Sequence, residues 1–327
     1  MTTNARVSVW MGGPSAERAI SLQTGDGVAR ALAEAGFVIS RVEISERLEW
    51  VIDASPPLAL TEALPRLLAT DVVFPALHGP FGEDGTVQGF LETIRTPFVG
   101  SGVAASALAM DKVHARTVAA AAGLTIAPAV AGSAADELES RAASLSRPLF
   151  VKPVRLGSSV GISRVTDDDD LGAAIRAALA EDTRALVEQG VVGVEVSCPV
   201  LDDPTVGPRA LPVVLIAPKE NAFFDYEAKY TDGATDEICP APIEDALAER
   251  LQELAVRAHV EFGCQGLSRT DFIVPDLATD ADPVFLELNT LPGLTAVSIF
   301  PRAAAAAGLS YGDLCRTLVE EALSRPR

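Results

Sequence analysis

The sequence predicts a mixed α/β (α+β) fold whose N-terminal part contains a parallel sheet. Short apolar runs, VSVW at 7–10 and DVVFPAL at 71–77, alternate with helical segments, which favours parallel strands joined by crossover helices. Two further pairs of apolar runs are each joined by a loop, as in β-hairpins. With 327 residues, of which 48% are hydrophobic, the chain is long enough for roughly two domains with sizeable cores.

The N-terminal elements begin with the strand VSVW and a GGP turn. A helical stretch from about 15 to 35 follows, then the strand FVISRVEI. Glu17 lies where this helix begins, so it is either a favourable helix-dipole charge or a receptor for an ammonium group at the end of a parallel strand. After DVVFPAL come the loop HGPFGEDG, the helix TVQGFLETIR and a turn at 97–102. This turn predicts a domain boundary near residue 100.

The central elements begin with one alanine-rich helix, expected from about 103 to 122 because Gly123 is a typical C-terminal stop. The helix ADELESRAASLS leads to PLFVKPV and GISRV, which are predicted to pair as a hairpin around LGSSVG. TDDDDLGAAIRAALAE then predicts another helix. The turn at 190–193 predicts a second boundary, near residue 192.

The C-terminal elements include the strands VEVSCPVL and ALPVVLIA, the helix EDALAERLQELAVRAHVEF and a helical tail. Between the second strand and the first helix lies a long polar stretch, FFDYEAKYTDGATDEICPAPI, and a segment of that length without regular structure is more often functional than idle. LSRTDFIV and PVFLELN are predicted to pair as a second hairpin.

Polar residues share one face of this second hairpin. Residues two apart in a strand point to the same side, which puts Arg269 with Asp271 and Glu287 with Asn289. A buried carboxylate such as Glu287 needs a partner. Either Arg269 and Glu287 form a buried salt bridge, or the oxygen ligands hold a hard cation such as Mg²⁺, which takes few protein ligands together with substrate phosphates. The second interpretation indicates a nucleotide.

The lysines are few enough to be informative. Of the 26 basic residues, the lysines are Lys112, Lys152, Lys219 and Lys229. None precedes Ser or Thr, so the GxxxxGK[ST] phosphate loop is absent. VKPVRLGSSVG offers another anion site, with Lys152 beside a Gly-Ser loop, although such loops are also ordinary hairpin turns. The same letters match GxSxG, with Ser159 as a nucleophile and His259 as its base, but that motif needs a helix where GISRV predicts a strand.

Composition limits the partners. A net charge of -19 repels nucleic acid and anionic membranes, so neither is expected as a partner. There is no run of about 18 apolar residues and no secretory leader pattern, so we expect a cytoplasmic protein. The four cysteines show no metal-ligand spacing and are expected to be structural thiols.

The ordered set of motifs resembles the D-alanine–D-alanine ligases of the ATP-grasp superfamily. The matching segments span nearly the whole chain: GGPSAERAISL (12–22), HGPFGEDGTVQG (78–89), MDK (110–112), PLFVKPVRLGSSVGISRV (148–165), DYEAKY (225–230), GLSRTDF (266–272) and ELNTLPGLTAVSIFP (287–301). Any one of them is a weak signal, whereas seven in order are a strong one.

The resemblance implies three sets of site residues. The nucleotide-binding set is Lys112, Lys152, Ser159, Glu188, Gln189, Val191, Glu195 and Lys229. The metal ligands are Asp271, Glu287 and Asn289. The catalytic and substrate-binding set is Glu17, Ser158, Tyr230, Arg269, Gly293 and Ser298. In this last set Glu17, with Ser158 and Tyr230, is expected to hold the first D-alanine. Arg269 and the Gly293 N–H are expected to stabilise the oxyanion, and Ser298 to bind the second D-alanine.

The implied fold is a three-domain ATP-grasp arrangement: an N-terminal α/β domain at 1–100, a small central domain at 101–192 and a C-terminal domain at 193–327, with ATP between the last two. The implied activity is ligation of two D-alanines through an acyl phosphate for peptidoglycan synthesis, using ATP and Mg²⁺ or Mn²⁺. A homodimer is expected, with a lid at about 224–236. The alternatives are an ATP-grasp ligase with another acceptor, such as D-serine, and a serine hydrolase using Ser159.

Overall fold

The computed structural model describes residues 5–157, 161–166, 170–218, 235–277 and 281–326. The strands in these residues are β1 (Arg6–Gly12), β2 (Val38–Ile44), β3 (Trp50–Ile52), β4 (Val72–Pro75), β5 (Thr125–Ile126), β6 (Ala129–Gly132), β7 (Leu149–Pro153), β8 (Ser163–Val165), β9 (Ala185–Gln189), β10 (Val194–Asp203), β11 (Gly207–Ala210), β12 (Val214–Pro218), β13 (Thr235–Ile238), β14 (Leu267–Val274) and β15 (Val284–Asn289). The helices are α1 (Arg18–Glu34), α2 (Leu60–Leu67), α3 (Thr86–Thr93), α4 (Val103–Met110), α5 (Lys112–Ala121), α6 (Ala135–Ala142), α7 (Leu171–Glu181), α8 (Asp245–Glu261), α9 (Ile299–Ala306) and α10 (Tyr311–Ser324).

The N-terminal sheet has the strand order β3-β2-β1-β4. β1 pairs in parallel with β2 and with β4, while β3 runs antiparallel to β2. The predicted parallel sheet is therefore confirmed. One face buries Trp10 against Trp50, with ring centroids 4.9 Å apart in an edge-to-face arrangement, which is a favoured geometry for aromatic pairs.

The turn after β1 places Glu17 at the start of α1. Gly12 and Gly13 both have φ of 89°, a left-handed conformation that glycine adopts without steric cost. The Ser21 hydroxyl accepts from the Gly12 N–H at 2.8 Å and donates to the Ala76 carbonyl at 2.6 Å. This bridge joins the carboxyl ends of β1 and β4, the edge of a parallel sheet where ligands usually bind.

The central sheet has the order β6-β9-β7-β8, with every pair antiparallel. The pairing of β7 with β8 confirms the first predicted hairpin. Helices α6 and α7 cover one face through a core that includes Leu138, Val151, Ile175 and Val187.

The largest sheet has seven strands among the described residues, in the order β13-β12-β10-β14-β15-β5, with β11 beside β10. The antiparallel pairing of β14 with β15 confirms the second predicted hairpin. Helices α5 and α8 pack on one face, where Ala119 and Leu251 contact the same core as Phe272. A second core is shared with the N-terminal sheet and contains Val9 and Phe300. None of the described helices is long and apolar enough to cross a membrane.

The alanine-rich helix expected at 103–122 is two helices, so that prediction was wrong. Asp111 leaves the helical conformation, with φ -83° and ψ 102°, and its carboxylate accepts from the N–H groups of Val113 and His114. A side chain that caps a helix start in this way stabilises a new N-terminus. The break makes Lys112 the first residue of α5. The predicted domain boundaries near 100 and 192 stay predictions, although the central sheet itself extends from residue 129 to residue 189.

Candidate functional site

A cavity of about 590 Å³ lies where loops and strands from all three sheets meet. Its walls come from the start of α1, the start of α5, the strands β7 and β9, and the paired strands β14 and β15. The predicted site residues that line it are Glu17, Lys112, Lys152, Glu188, Glu195, Arg269, Asp271, Glu287, Asn289, Gly293 and Ser298. Folding thus brings together side chains that are up to 281 positions apart in the sequence, from Glu17 to Ser298.

The polar face of β14 and β15 forms one wall. Antiparallel register places Asp271 opposite Glu287 and Arg269 opposite Asn289. Arg269 donates to both oxygens of Asp271, with its Nε 2.8 Å from Oδ1 and its Nη2 2.6 Å from Oδ2. Burial works to lower the pKa of the Arg269 guanidinium, but the carboxylates of Asp271 and Glu287 raise the pKa well above its usual value. Arg269 therefore stays charged beside the cavity.

The buried salt bridge considered for Arg269 and Glu287 is not the main pairing. The closest Arg269–Glu287 contact is 3.8 Å, against 2.6 Å for Arg269–Asp271, and the Glu287 side chain is 39% exposed. Glu287 is therefore not the buried carboxylate that its apolar strand suggested. It faces the cavity, where a ligand can reach it.

The residues of this wall fit a hard cation. The described residues contain no group of three or more Asp, Glu, His or Cys side chains that could hold a metal ion by themselves. Two facing carboxylates and the Asn289 carboxamide supply three oxygen ligands, and the remaining ligands of such an ion are commonly phosphate oxygens and water. Asn289 Oδ1 already accepts from the Leu291 N–H at 2.8 Å, but a carbonyl oxygen has a second lone pair.

Ser197 supports this wall from the neighbouring strand. β10 pairs with β14 so that Ser197 lies opposite Asp271, and the serine hydroxyl donates to Asp271 Oδ1 at 2.6 Å. Both side chains are buried. Asp271 is thus held by Arg269 on one side and by Ser197 on the other.

A second part of the cavity lining carries positively charged side chains. Lys112 Nζ donates to the Leu156 carbonyl, and Lys152 Nζ lies 2.7 Å from Glu188 Oε2. Arg116 Nη1 contacts the other oxygen of Glu188. Glu188 is consequently shared between two cations.

The end of the cavity near α1 contains a histidine between a hydroxyl and a carboxylate. His78 Nε2 lies 3.1 Å from Thr24 Oγ1, and His78 Nδ1 lies 3.3 Å from Glu83 Oε1. Burial raises the pKa of Glu83, and the nearby Glu17 carboxylate adds to this, although the contact with His78 works in the opposite direction.

The turn from Pro292 to Ser298 forms the floor beside Arg269. Ser298 precedes α9, and its hydroxyl lies 2.7 Å from Thr295 Oγ1. A Cβ at Gly293 would lie 3.1 Å from the Ser298 hydroxyl, so a glycine keeps this turn compact. The Tyr311 hydroxyl donates to the Leu294 carbonyl at 2.7 Å and holds the turn from below.

Several predicted residues are not on these walls. Ser158, Ser159, Lys229 and Tyr230 lie outside the described residues, as does most of the predicted lid. Gln189 and Val191 are not among the lining residues; the Gln189 N–H donates to the Pro128 carbonyl within the sheet edge. His259, the base of the hydrolase alternative, is 1% exposed, with Nδ1 2.8 Å from Ser268 Oγ. His259 therefore lies in the core.

Several residues that the fold brings to this site were not predicted from the sequence. The residues are His78, Glu83, Arg116, Ser197, Glu237 and Arg302. His78 and Glu83 stand in the quoted HGPFGEDG segment, where a histidine and acidic residues close together were a usable signal. Arg116 and Ser197 carry no such signal, because an arginine in a helix and a serine in a strand are common on ordinary surfaces.

Fold and site together define an α/β protein whose three sheets meet at one cavity, lined by cationic side chains and by oxygen ligands that suit a hard cation. Family models described as the D-ala D-ala ligase N-terminus and C-terminus match residues 6–101 and 118–320. The chain belongs to the D-alanine–D-alanine ligase family, whose members are ATP-dependent and use a divalent metal.

Individual relatives agree over the full length. The chain is 40% identical to a D-alanine–D-alanine ligase of Mycolicibacterium vanbaalenii, with 99% of both chains covered, and 39% identical to one of Nocardia farcinica, also with 99% of both covered. The VanG D-Ala:D-Ser ligase of Enterococcus faecalis superposes with a TM-score of 0.84 at 32% identity, covering 98% of this chain and 99% of that one. The ligase of Coxiella burnetii gives 0.83 at 27% identity, with 99% and 95% covered. The ATP-grasp fold is therefore confirmed.

Proposed function

We propose that this protein joins two D-alanine molecules into D-alanyl-D-alanine at the expense of ATP, as a step in peptidoglycan precursor synthesis. The observation that carries the proposal is that two sets of side chains with opposite charge line one cavity. One set presents lysines and an arginine, and the other presents two carboxylates, a carboxamide and Arg269. A polyphosphate and its cation fit a cavity that has both sets.

The reaction has two steps. The carboxylate of the first D-alanine attacks the γ-phosphorus of ATP, giving D-alanyl phosphate and ADP. The amine of the second D-alanine then attacks the activated carbonyl, and phosphate leaves as the peptide bond forms. Lys112 and Lys152 hold the phosphates, while Glu188 and Glu195 contact the adenosine part. Lys229 and Ser159, with the main chain of Gln189 and Val191, complete this proposed set.

The amino-acid subsites lie around Arg269. Glu17 binds the ammonium of the first D-alanine, with Ser158 and Tyr230 as its partners, and Ser298 binds the carboxylate of the second. Arg269 and the Gly293 N–H stabilise the oxyanion that develops in the second step. Loss of one such donor costs about 100-fold or more in rate. The charged state of Arg269 at all accessible pH values supports this role.

Asp271, Glu287 and Asn289 are the proposed ligands of Mg²⁺, for which Mn²⁺ can substitute. These residues would hold the ion, and a bound ion would offset the charge that develops on the phosphates. Ser197 and Arg269 hold the Asp271 oxygens, and the Leu291 N–H holds Asn289 Oδ1, before the nucleotide arrives.

The decisive measurement is ADP release with Mg²⁺-ATP and either D-alanine or L-alanine, followed by mass spectrometry of the product. D-alanine alone is expected to release ADP and form the dipeptide, whereas L-alanine is not, because the subsites are chiral. No D-alanine-dependent ADP release would refute the proposed function.

The acceptor is tested in the same assay with D-serine or D-lactate beside D-alanine. Relatives that are 40% and 39% identical over nearly the full chain are named D-alanine–D-alanine ligases, so the dipeptide of D-alanine is expected to predominate when D-alanine and another acceptor are both supplied. The hydrolase alternative requires ester turnover without ATP that a Ser159→Ala change abolishes, and we expect no such turnover. A cytoplasmic homodimer remains part of the proposal, and sedimentation of the purified protein tests its dimeric state.

A further inference from the structure

The start of α5 carries two cations toward the cavity. Asp111 ends α4 and caps α5, so that Lys112 is the first residue of the helix and Arg116 follows four positions later. Residues four apart lie on the same face of a helix. Both side chains line the cavity, and the helix N-terminus adds its own partial positive charge.

Arg116 is tied to the central sheet by both terminal nitrogens of its guanidinium group. Nη1 donates to Glu188 Oε1 on β9, and Nη2 donates to the Ala127 carbonyl just before β6. The residue is 9% exposed, Glu188 is 5% exposed and Lys152 is 8% exposed. Arg116, Glu188 and Lys152 therefore form a nearly buried group of three charges, here called the Glu188 cluster.

The Glu188 cluster contains more positive than negative charge. Among the described residues, Glu188 is the one carboxylate within 4.0 Å of either Arg116 or Lys152. Two cations and one anion leave a net charge of +1 in a place that excludes most water. Buried charges are costly unless they are paired, so the surplus favours an anionic ligand in the cavity.

We propose that Arg116 is a positioning residue for the nucleotide. By sharing Glu188, it prevents that carboxylate from neutralising Lys152 and leaves the lysine ammonium available to the phosphates. The inference rests on the proposed function for the identity of the ligand, whereas the effect of Arg116 on Lys152 depends only on the charges of the cluster. Without Arg116, Lys152 and Glu188 form a closed, neutral pair.

The test measures binding of ADP with Mg²⁺ and of adenosine by calorimetry, and uses the ratio of their affinities. This ratio isolates the phosphate contribution, because any change in contacts to the base or ribose affects both ligands. In Arg116→Met the preference for ADP is expected to fall about tenfold, which corresponds to one lost charge contact of about 1.4 kcal/mol. Arg116→Lys keeps the charge and is expected to stay within about threefold of the wild type.

The double variant Arg116→Met/Glu188→Gln separates this inference from a merely structural role. It restores the net charge of +1 with Lys152 alone, so the preference for ADP is expected to recover toward the wild-type ratio. A structural role for Arg116 predicts further loss. Arg141→Ala is the matched control. Like Arg116, Arg141 donates to a main-chain carbonyl in or beside the central sheet, here that of Ala131 on β6 at 3.0 Å, but it lies outside the cavity lining. The ratio of ADP to adenosine affinity is expected to stay unchanged in this variant.

An unchanged ratio in Arg116→Met, or no recovery in the double variant, would overturn the inference. If Arg116→Met does not fold, Glu188→Gln alone decides, because two unshared cations are expected to raise the preference for ADP above that of the wild type. None of these measurements requires D-alanine. A wild-type protein that binds ADP but releases none from ATP with D-alanine would refute the proposed function and leave the role of Arg116 intact.

Discussion

Removal of the Ser197 hydroxyl is the sharpest test of how the metal-facing wall is held. In the native protein this hydroxyl donates to Asp271 Oδ1 at 2.6 Å, and both groups are buried. A hydrogen bond to a charged group contributes about 1.5–3 kcal/mol. Because Arg269 still holds Asp271 through two atoms, we expect Ser197→Ala to cost about 1.5 kcal/mol, at the lower end of that range.

The same loss is expected to appear in the metal dependence. A side chain that orients a metal ligand changes affinity by about 10–100-fold when it is removed, and a cost of about 1.4 kcal/mol corresponds to tenfold. The free Mg²⁺ concentration for half-maximal D-alanine-dependent ADP release is therefore expected to rise about tenfold in Ser197→Ala. At saturating Mg²⁺ the rate is expected to change less than about threefold, because the ligand remains present.

Thr270→Val is the matched control for this experiment. Thr270 is on β14 next to Asp271 and fully buried, and its hydroxyl has no hydrogen-bond partner within the described residues. Its removal is expected to leave the Mg²⁺ dependence unchanged and to alter the free energy of unfolding by less than about 1 kcal/mol. An unchanged Mg²⁺ dependence in Ser197→Ala, or an equal shift in both variants, would refute the reasoning.

Three further predictions concern stability in chemical denaturation. Burial raises the folded-state pKa of Glu83 above 4.5, so the native state binds more protons than the unfolded state. The free energy of unfolding therefore falls as pH rises from that value. Glu83→Gln should remove this fall, and an unchanged pH profile in that variant would contradict the prediction. Tyr311→Phe leaves the Leu294 carbonyl without its donor and should cost about 1–2 kcal/mol, whereas no cost would indicate a weak contact. At Gly193 a Cβ would lie 2.4 Å from a β14 carbonyl, but at Gly312 in α10 it would meet nothing within 4 Å. Alanine should therefore destabilise by about 1–3 kcal/mol at Gly193 and stabilise by up to about 1 kcal/mol at Gly312; equal effects would be inconsistent with that geometry.

The hairpin of β14 and β15 shows which features of the site the alternation of residues along a strand can predict. Alternation alone predicted that Arg269 and Asp271 share a face with Glu287 and Asn289, and the strands pair in that arrangement. It did not predict that Arg269 binds Asp271 more closely than Glu287, because that choice depends on side-chain rotamers and on the cavity that opens beside Glu287. The role of Ser197 could not be predicted for a similar reason, since its partner Asp271 lies 74 positions away, on a strand whose pairing with β10 is decided by the tertiary fold.

Helix α5 shows a feature that composition along the chain did not predict. Its composition favoured one continuous helix, since alanine is the best helix former, and only the cap made by Asp111 in the folded chain divides it. That division determines where Lys112 and Arg116 point. The sequence by itself determined the N-terminal parallel sheet, the two hairpins and the motifs that mark a ligase, because these depend on period and on neighbours along the chain. Only the tertiary structure decided which charges meet in the Glu188 cluster, because Arg116 and Glu188 are 72 positions apart and their contact depends on where the fold places α5 relative to the central sheet.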